Sequence, residues 1–193
     1  MTIWGPPGRV LLDTNIIDKI LEEGAYVCEG DVGDRDEGDL DPELVALRII
    51  YQQACRQQFQ FVTSPLSVAE VVNIQDAAQR HVRLNWFLEM LGYWTTTIGD
   101  GGLRKSAGGD VRHRFKLSEE LQTLESELLR IPDLRRDPFD RLLLIHCKMA
   151  NCDAFLTNDR NSIWRHRKSL AAMGIKVVVP TEYQAMIAPY AAL

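Results

Sequence analysis

Short apolar runs alternate along the chain with longer stretches whose apolar residues recur every three to four positions. The apolar runs, which predict strands, are RVLL at 9–12, FQFVTS at 59–64, WTTTIG at 94–99, AFLT at 154–157 and IKVVV at 175–179. The stretches between them have the period of amphipathic helices. Because strands separated by helices form βαβ units, this order predicts an α/β protein with a mostly parallel sheet.

Several helix boundaries are marked by residues with known end preferences. Asp41 precedes Pro42, and Ser64 precedes Pro65, so each pair predicts an N-cap followed by proline at the first helical position. Gly174 predicts the end of another helix. The predicted helices cover 14–23, 41–57, 64–82, 82–93, 117–130, 137–152, 163–173 and 181–190.

The 193 residues and 46% apolar content predict one domain, 1–193, with elaborations. One elaboration is an acidic segment at 22–41, within a stretch (22–43) that holds ten acids and one arginine. Without that stretch the net charge of −5 becomes +4, because 17 acidic and 21 basic residues remain. The segment has few apolar residues, so we expect a mobile loop. A calcium site is an alternative, but the order of an EF-hand loop is missing.

Two observations limit the protein class. No apolar run approaches the length needed to span a bilayer, and the first ten residues do not resemble a secretory signal, so we expect a cytoplasmic protein without membrane contact. The four cysteines form no CxxC pair, and His146 beside Cys147 lacks a second ligand pair at zinc-site spacing. Reduced, structural thiols are therefore expected.

Acidic residues stand where two predicted strands end. Asp13 follows RVLL and Asp159 follows AFLT, while Glu70 and Asp140 lie early in helices that begin at the same edge of a parallel sheet. Clustered carboxylates repel one another unless cations lie between them, and oxygen ligands without His or Cys favour Mg²⁺ or Mn²⁺. The alternative for Asp13 is that it caps the following helix.

Three motifs, in this order, carry a family resemblance. They are LLDTNIID near the start, TSPLSVAE in the middle and DPFDRLLLIHCKMANCDAFLTND late in the chain. Together they resemble the PIN-domain family of metal-dependent nucleases, especially ribonucleases of the VapC toxin type. The resemblance implies a three-layer α/β/α PIN-like fold with a central mostly parallel sheet, and Mg²⁺- or Mn²⁺-dependent hydrolysis of RNA.

The resemblance also implies a set of catalytic and metal-binding acids. Matched to the family pattern, these are Asp13, Glu70, Asp140 and Asp159. A metal held there would lower the pKa of a bound water and neutralise charge on the scissile phosphate. Three residues are auxiliary: Asp137, which competes for the third position or caps its helix, and Asn15 and Thr157, which orient water or phosphate or cap locally.

The chain differs from the compact toxins by the acidic segment and by a basic and helical insertion at about 99–131. Five basic residues of the insertion are expected to contact RNA phosphates: Arg104, Lys105, Arg112, Arg114 and Lys116. The stretch 160–169 is a second basic candidate, in which Trp164 either stacks on a base or belongs to the core. An antitoxin or other protein partner and a homodimer are further expectations from the resemblance. The two insertions, which the compact toxins lack, leave open whether the protein is a toxin.

Two functions of other classes compete with the nuclease. A haloacid-dehalogenase-like phosphotransferase also has an aspartate after its first strand but requires a second acid two positions later, where this chain has Asn15. A catalytically silent PIN module, acting as a platform for protein or nucleic acid, has no such conflict. The four acids favour the nuclease over the platform.

Overall fold

A computed structural model describes residues 8–56, 59–72, 75–78, 80–81, 84–85 and 118–190. The strands are β1 (Arg9–Leu12), β2 (Gln60–Val62), β3 (Ala154–Leu156) and β4 (Val177–Val178). The α-helices are α1 (Thr14–Glu22), α2 (Pro42–Cys55), α3 (Pro65–Val72), α4 (Glu119–Leu128), α5 (Pro132–Arg136), α6 (Pro138–Met149), α7 (Arg167–Ala172) and α8 (Pro180–Ile187). Within these ranges, no helix is both long and apolar enough to cross a membrane.

The four strands form one all-parallel sheet in the order β2-β1-β3-β4, which confirms the predicted α/β class. In the centre, β1 pairs with β3 so that Leu12 lies opposite Leu156. Val10, Leu11 and Leu12 are fully buried, and so is every residue of β3. Continuous apolar runs are typical of strands covered on both faces, which explains why these strands do not alternate with polar residues. The architecture is compatible with three α/β/α layers.

The chain divides into two compact units. The first combines Met1–Phe61 with Cys152–Leu193, and the second is Val62–Asn151. In the first unit α2 packs against α8, and the ring of Tyr183 lies edge-on to Phe59 with centroids 5.4 Å apart. In the second unit α6 contacts α3, α4 and α5. The single domain predicted from the sequence stays a prediction.

The predicted helix starts agree with the structure. The Asp41 side chain accepts the N–H of Glu43 at 3.0 Å, and the Ser64 hydroxyl accepts the N–H of Leu66 at 3.0 Å. These bonds satisfy N–H groups that have no partner within the helix. Gly174 has a φ of 78°, a left-handed conformation that glycine adopts without strain and that ends the preceding helical turn.

Two predicted helices are shorter than expected. The helix predicted over 64–82 is interrupted, because Gln75 and Asp76 are non-helical, and a new turn begins where Arg80 N–H donates to Asp76 O. Aspartate favours such a starting position over a helix interior. The helix predicted over 163–173 is a 3₁₀ turn (Trp164–His166) followed by α7. The strand predicted at 94–99 lies outside the described residues.

The expectation of a loop throughout the acidic segment was wrong. Ala25–Glu29 form a π-helical turn in which Tyr26 and Val27 are buried, and this turn packs against α2. The Arg48 guanidinium carbon lies 5.2 Å from the centroid of the Tyr26 ring. Two apolar side chains and one cation–π contact therefore anchor a segment whose average composition is polar.

Candidate functional site

Asp13 lies at the carboxyl end of β1 and is 5% exposed. Its backbone N–H continues the ladder to β3 by donating to Leu156 O at 3.0 Å, while its Oδ1 accepts the N–H of Thr14 at 2.7 Å. The predicted alternative, that Asp13 caps α1, is therefore confirmed. Capping places the carboxylate at the positive end of the helix dipole, where a negative charge is stabilised.

Thr157 joins the ends of β1 and β3. Its fully buried hydroxyl donates to Asp13 Oδ2 at 2.6 Å. The Thr157 hydroxyl oxygen also accepts the backbone N–H of Asp159 at 2.9 Å and a bond donated by Asn15 Nδ2 at 3.2 Å. A threonine hydroxyl has one proton and two lone pairs, so these three bonds use its full capacity. The side-chain rotation of Thr157 is thereby fixed.

Asn15 closes the network from the first turn of α1. Its Nδ2 donates to Asp13 Oδ2 at 2.7 Å, and its Oδ1 accepts the N–H of Asn158 at 3.0 Å. Both groups of the amide are therefore used between the helix start and the segment after β3. Asn15 and Thr157 hold Asp13 from two sides, which is the kind of support that fixes a functional carboxylate.

Asp159 shapes the turn that follows β3. Its Oδ1 accepts the N–H groups of Asn161 and Ser162, both at 2.8 Å, and its Oδ2 accepts the Ser162 hydroxyl at 2.5 Å. Partial burial raises the pKa of the Asp159 carboxyl, but the hydrogen bonds from Ser162 and Asn161 and the charge of Arg165 outweigh this effect. The net result is a pKa below the ordinary value of 3.8.

The two remaining acids belong to the second unit. Asp140 lies in the first turn of α6, and Glu70 belongs to α3, which contacts α6. Asp137 caps α6, because its Oδ1 accepts the N–H groups of Phe139 at 2.9 Å and of Asp140 at 3.1 Å. The capping alternative for Asp137 is thus confirmed.

The structure brings some of the predicted site together. Asp13, Asn15, Thr157 and Asp159 meet at the carboxyl edge of two adjacent parallel strands, as their positions in the sequence predict. The side chain of Glu70 is not among those described. Among the described side chains, no group of at least three His, Cys, Asp or Glu residues could hold a metal ion. Convergence of all four acids stays a prediction.

The donor atoms still fit the predicted type of cation. Asp13 and Asp159 supply carboxylate oxygens, and the Asn15 amide oxygen belongs to the same network. Neither thiol nor imidazole belongs to this network, so its chemistry suits a hard cation such as Mg²⁺ or Mn²⁺ better than zinc or copper.

Sequence reasoning missed two members of this region, Asn158 and Ser162. For Ser162 the sequence signal is DRNS at 159–162, an aspartate with polar residues two and three positions later, which is typical of an Asx turn. Asn158 has no such signal, because it joins the network through its backbone N–H. Arg104, Lys105, Arg112, Arg114 and Lys116, the basic residues predicted to bind RNA, lie outside the described residues.

No family model, curated protein or solved structure matches the chain. The resemblance to PIN-domain nucleases therefore stays a prediction from the three sequence motifs.

Proposed function

We propose that the protein is a Mg²⁺- or Mn²⁺-dependent ribonuclease with a PIN-like α/β/α fold. The observation that carries the proposal is the network in which Thr157 joins Asp13, after β1, to Asp159, after β3. Open parallel sheets bind ligands at this edge, and neighbouring strands supply the residues. Asp140 and Glu70 complete the proposed set of acids.

The chain's own residues have distinct parts in this proposal. Asp13 and Asp159 hold the cation and Asn15 and Thr157 fix the orientation of the Asp13 carboxylate. The bound cation supplies Lewis-acid chemistry at a phosphodiester. A protein nucleophile is unnecessary for hydrolysis of this kind, and RNA is the proposed substrate.

A second candidate is a catalytically silent platform of the same fold. It is favoured by the use of both Asp13 carboxylate oxygens in hydrogen bonds within the chain: Oδ1 to the Thr14 N–H, and Oδ2 to Asn15 and Thr157. In that case the network has only a structural role, capping α1 and tying it to β3.

Cleavage of a labelled single-stranded RNA with Mn²⁺ or Mg²⁺ separates the two candidates. Asp13→Asn should lower the rate by at least about 100-fold, because a metal ligand is replaced by a neutral amide. Asp153→Asn is a matched control, since Asp153 accepts the N–H groups of Gly8 and Arg9 at the opposite end of the same strands. The control should retain wild-type activity.

Asp159→Asn provides an independent variant in case Asp13→Asn does not fold, which circular dichroism will show. Loss of cleavage in a folded Asp13 or Asp159 variant, and in wild type with EDTA, supports the nuclease. Full activity in EDTA, or unchanged activity in both folded variants, overturns it. A wild-type protein that cleaves no RNA with either cation also overturns it and favours the platform.

A further inference from the structure

The segment directly after the candidate site is strongly cationic. Residues 158–168 contain Arg160, Arg165, Arg167 and Lys168 but only one acid, Asp159, in a chain whose net charge is −5. Arg160, Arg165 and Lys168 are exposed, and Arg167 is half-buried. We call these four side chains the cationic surface. The average composition of this acidic protein does not account for a local excess of positive charge, which therefore needs its own explanation.

Trp164 organises two of the arginines. The guanidinium carbon of Arg167 lies 3.6 Å from the centroid of the indole ring, and that of Arg160 lies 5.2 Å from it. The indole N–H donates to Glu182 Oε2 at 3.0 Å, and the same oxygen accepts the N–H of Val179 at 3.2 Å. Because α8 holds the ring in place, the ring limits the orientations of both planar guanidinium groups.

This arrangement changes the role expected for Trp164. The sequence suggests base stacking or the core, whereas the half-buried ring is in cation–π contact with two arginines. Trp164 is therefore a positioning residue for guanidinium groups. Arginine held in one plane recognises phosphate oxygens with two parallel hydrogen bonds, which a mobile lysine does not do.

The cationic surface begins at the candidate site itself. Asp159 O accepts the N–H of Trp164 at 3.0 Å, and the Asp159 carboxylate holds the turn at 161–162. The charge of Arg165 also acts on that carboxylate. A strand bound along this surface thus has its phosphates next to the end of β3.

A cavity of about 660 Å³ adjoins Arg160 and Asn158. This volume is within the range of small-ligand sites and suits one nucleotide. Two cations, Lys19 and Arg160, and two acids, Asp41 and Glu43, line the cavity. Glu43 is bound to Arg160 and to the N–H and hydroxyl of Thr181, and the Asp41 carboxylate accepts the N–H of Glu43. The charges of Glu43 and Arg160 therefore partly compensate each other.

We propose that the cationic surface binds the phosphate backbone of single-stranded RNA, with one nucleotide in the cavity beside Arg160. The inference rests on the proposed function, because it assigns a path for the substrate of that site. RNA is favoured over an acidic protein because guanidinium groups fixed by an aromatic ring match phosphate geometry, and because a nucleotide-sized cavity lies beside one of them.

Binding is measured in EDTA by fluorescence anisotropy of a labelled single-stranded RNA, so that no cleavage is required. The test variant is Arg165→Ser with Lys168→Ser. Its control is Arg56→Ser with Lys176→Ser, which removes two exposed charges from elsewhere in the first unit. We expect the test variant to bind about tenfold more weakly at 0.1 M salt and to lose about 1.4 from the slope of log K against log salt. The control should resemble wild type.

Trp164→Leu tests the positioning role, because it retains every charge. It should weaken RNA binding several-fold while leaving the salt slope unchanged, since the number of cations is the same. A fall in affinity together with a fall in slope would contradict this role.

Three results overturn the inference: equal affinity and slope in the test variant and wild type, an equal loss in the control, or competition by polyglutamate as effective as by unlabelled RNA. The last result identifies an acidic protein as the partner. Binding of RNA by the wild-type protein in EDTA separates this inference from the proposed function, because it requires no metal. Normal binding without metal-dependent cleavage refutes only the nuclease.

Discussion

Replacing Thr157 with valine removes one hydroxyl at the centre of the network and keeps the shape of the side chain. Three hydrogen bonds disappear: the one donated to Asp13 Oδ2 at 2.6 Å, and those accepted from the Asp159 N–H and from Asn15 Nδ2. A bond to a charged group contributes about 1.5–3 kcal/mol, and an N–H left unsatisfied in a buried place costs about 1–3 kcal/mol. We therefore expect Thr157→Val to lower the free energy of unfolding by about 3 kcal/mol.

The assay is urea unfolding monitored by circular dichroism. A shift of the midpoint reports a change in stability when the dependence of the unfolding free energy on urea concentration is the same in both proteins. Thr157→Ser is the control, because it keeps the hydroxyl and loses one methyl group, and should cost only about 1 kcal/mol. Thr157→Val should also lower the free energy of unfolding by less in an Asp13→Ala background than in wild type, because the charged acceptor is then absent. A cost for valine no larger than for serine would refute the assignment of the network as a set of strong hydrogen bonds.

Two further predictions concern pH and backbone conformation. Folding lowers the pKa of Asp159, so its carboxylate stabilises the fold above its ordinary pKa of 3.8, and this stabilisation is lost as the pH falls through the folded pKa. Thermal melts at decreasing pH test this. Below about pH 5, the Asp159→Asn variant should lose less stability than wild type. Gly30 has a φ of 83°, and an added Cβ would meet the end of Arg48, so Gly30→Ala should destabilise by about 1–2 kcal/mol, whereas Gly24→Ala, in open space with a helical φ, should not. Equal denaturation midpoints for the two alanine variants would contradict the strain argument.

The sequence predicts most elements of the described fold because their signals are local. Asp41, Ser64 and Asp137 each precede a proline and cap a helix, and the apolar runs at β1 and β3 form central strands. The π-helical turn at Ala25–Glu29 was missed because its stability comes from packing against α2, through Tyr26 and Val27. A composition average over the acidic segment conceals such contacts.

The location of the candidate site, at the carboxyl edge of the sheet, was predictable from the sequence. Parallel pairing of β1 with β3 places Asp13 and Thr157 side by side, which follows from topology alone. The stacking of Arg160 and Arg167 on Trp164 was not predictable, because it depends on Glu182 of α8 holding the indole. Contacts between distant segments require the three-dimensional arrangement, whereas caps and strand ends do not.

The interruption of the first unit by Val62–Asn151 has a consequence during protein synthesis. β1 leaves the ribosome long before β3, its partner in the sheet, and at about 5–20 residues per second the delay is roughly seven to thirty seconds. During that time Val10, Leu11 and Leu12 have no β3 to cover them, although they are fully buried in the finished fold. The contiguous second unit emerges completely within the same interval. Production of this protein should therefore benefit from chaperones that shield nascent apolar segments.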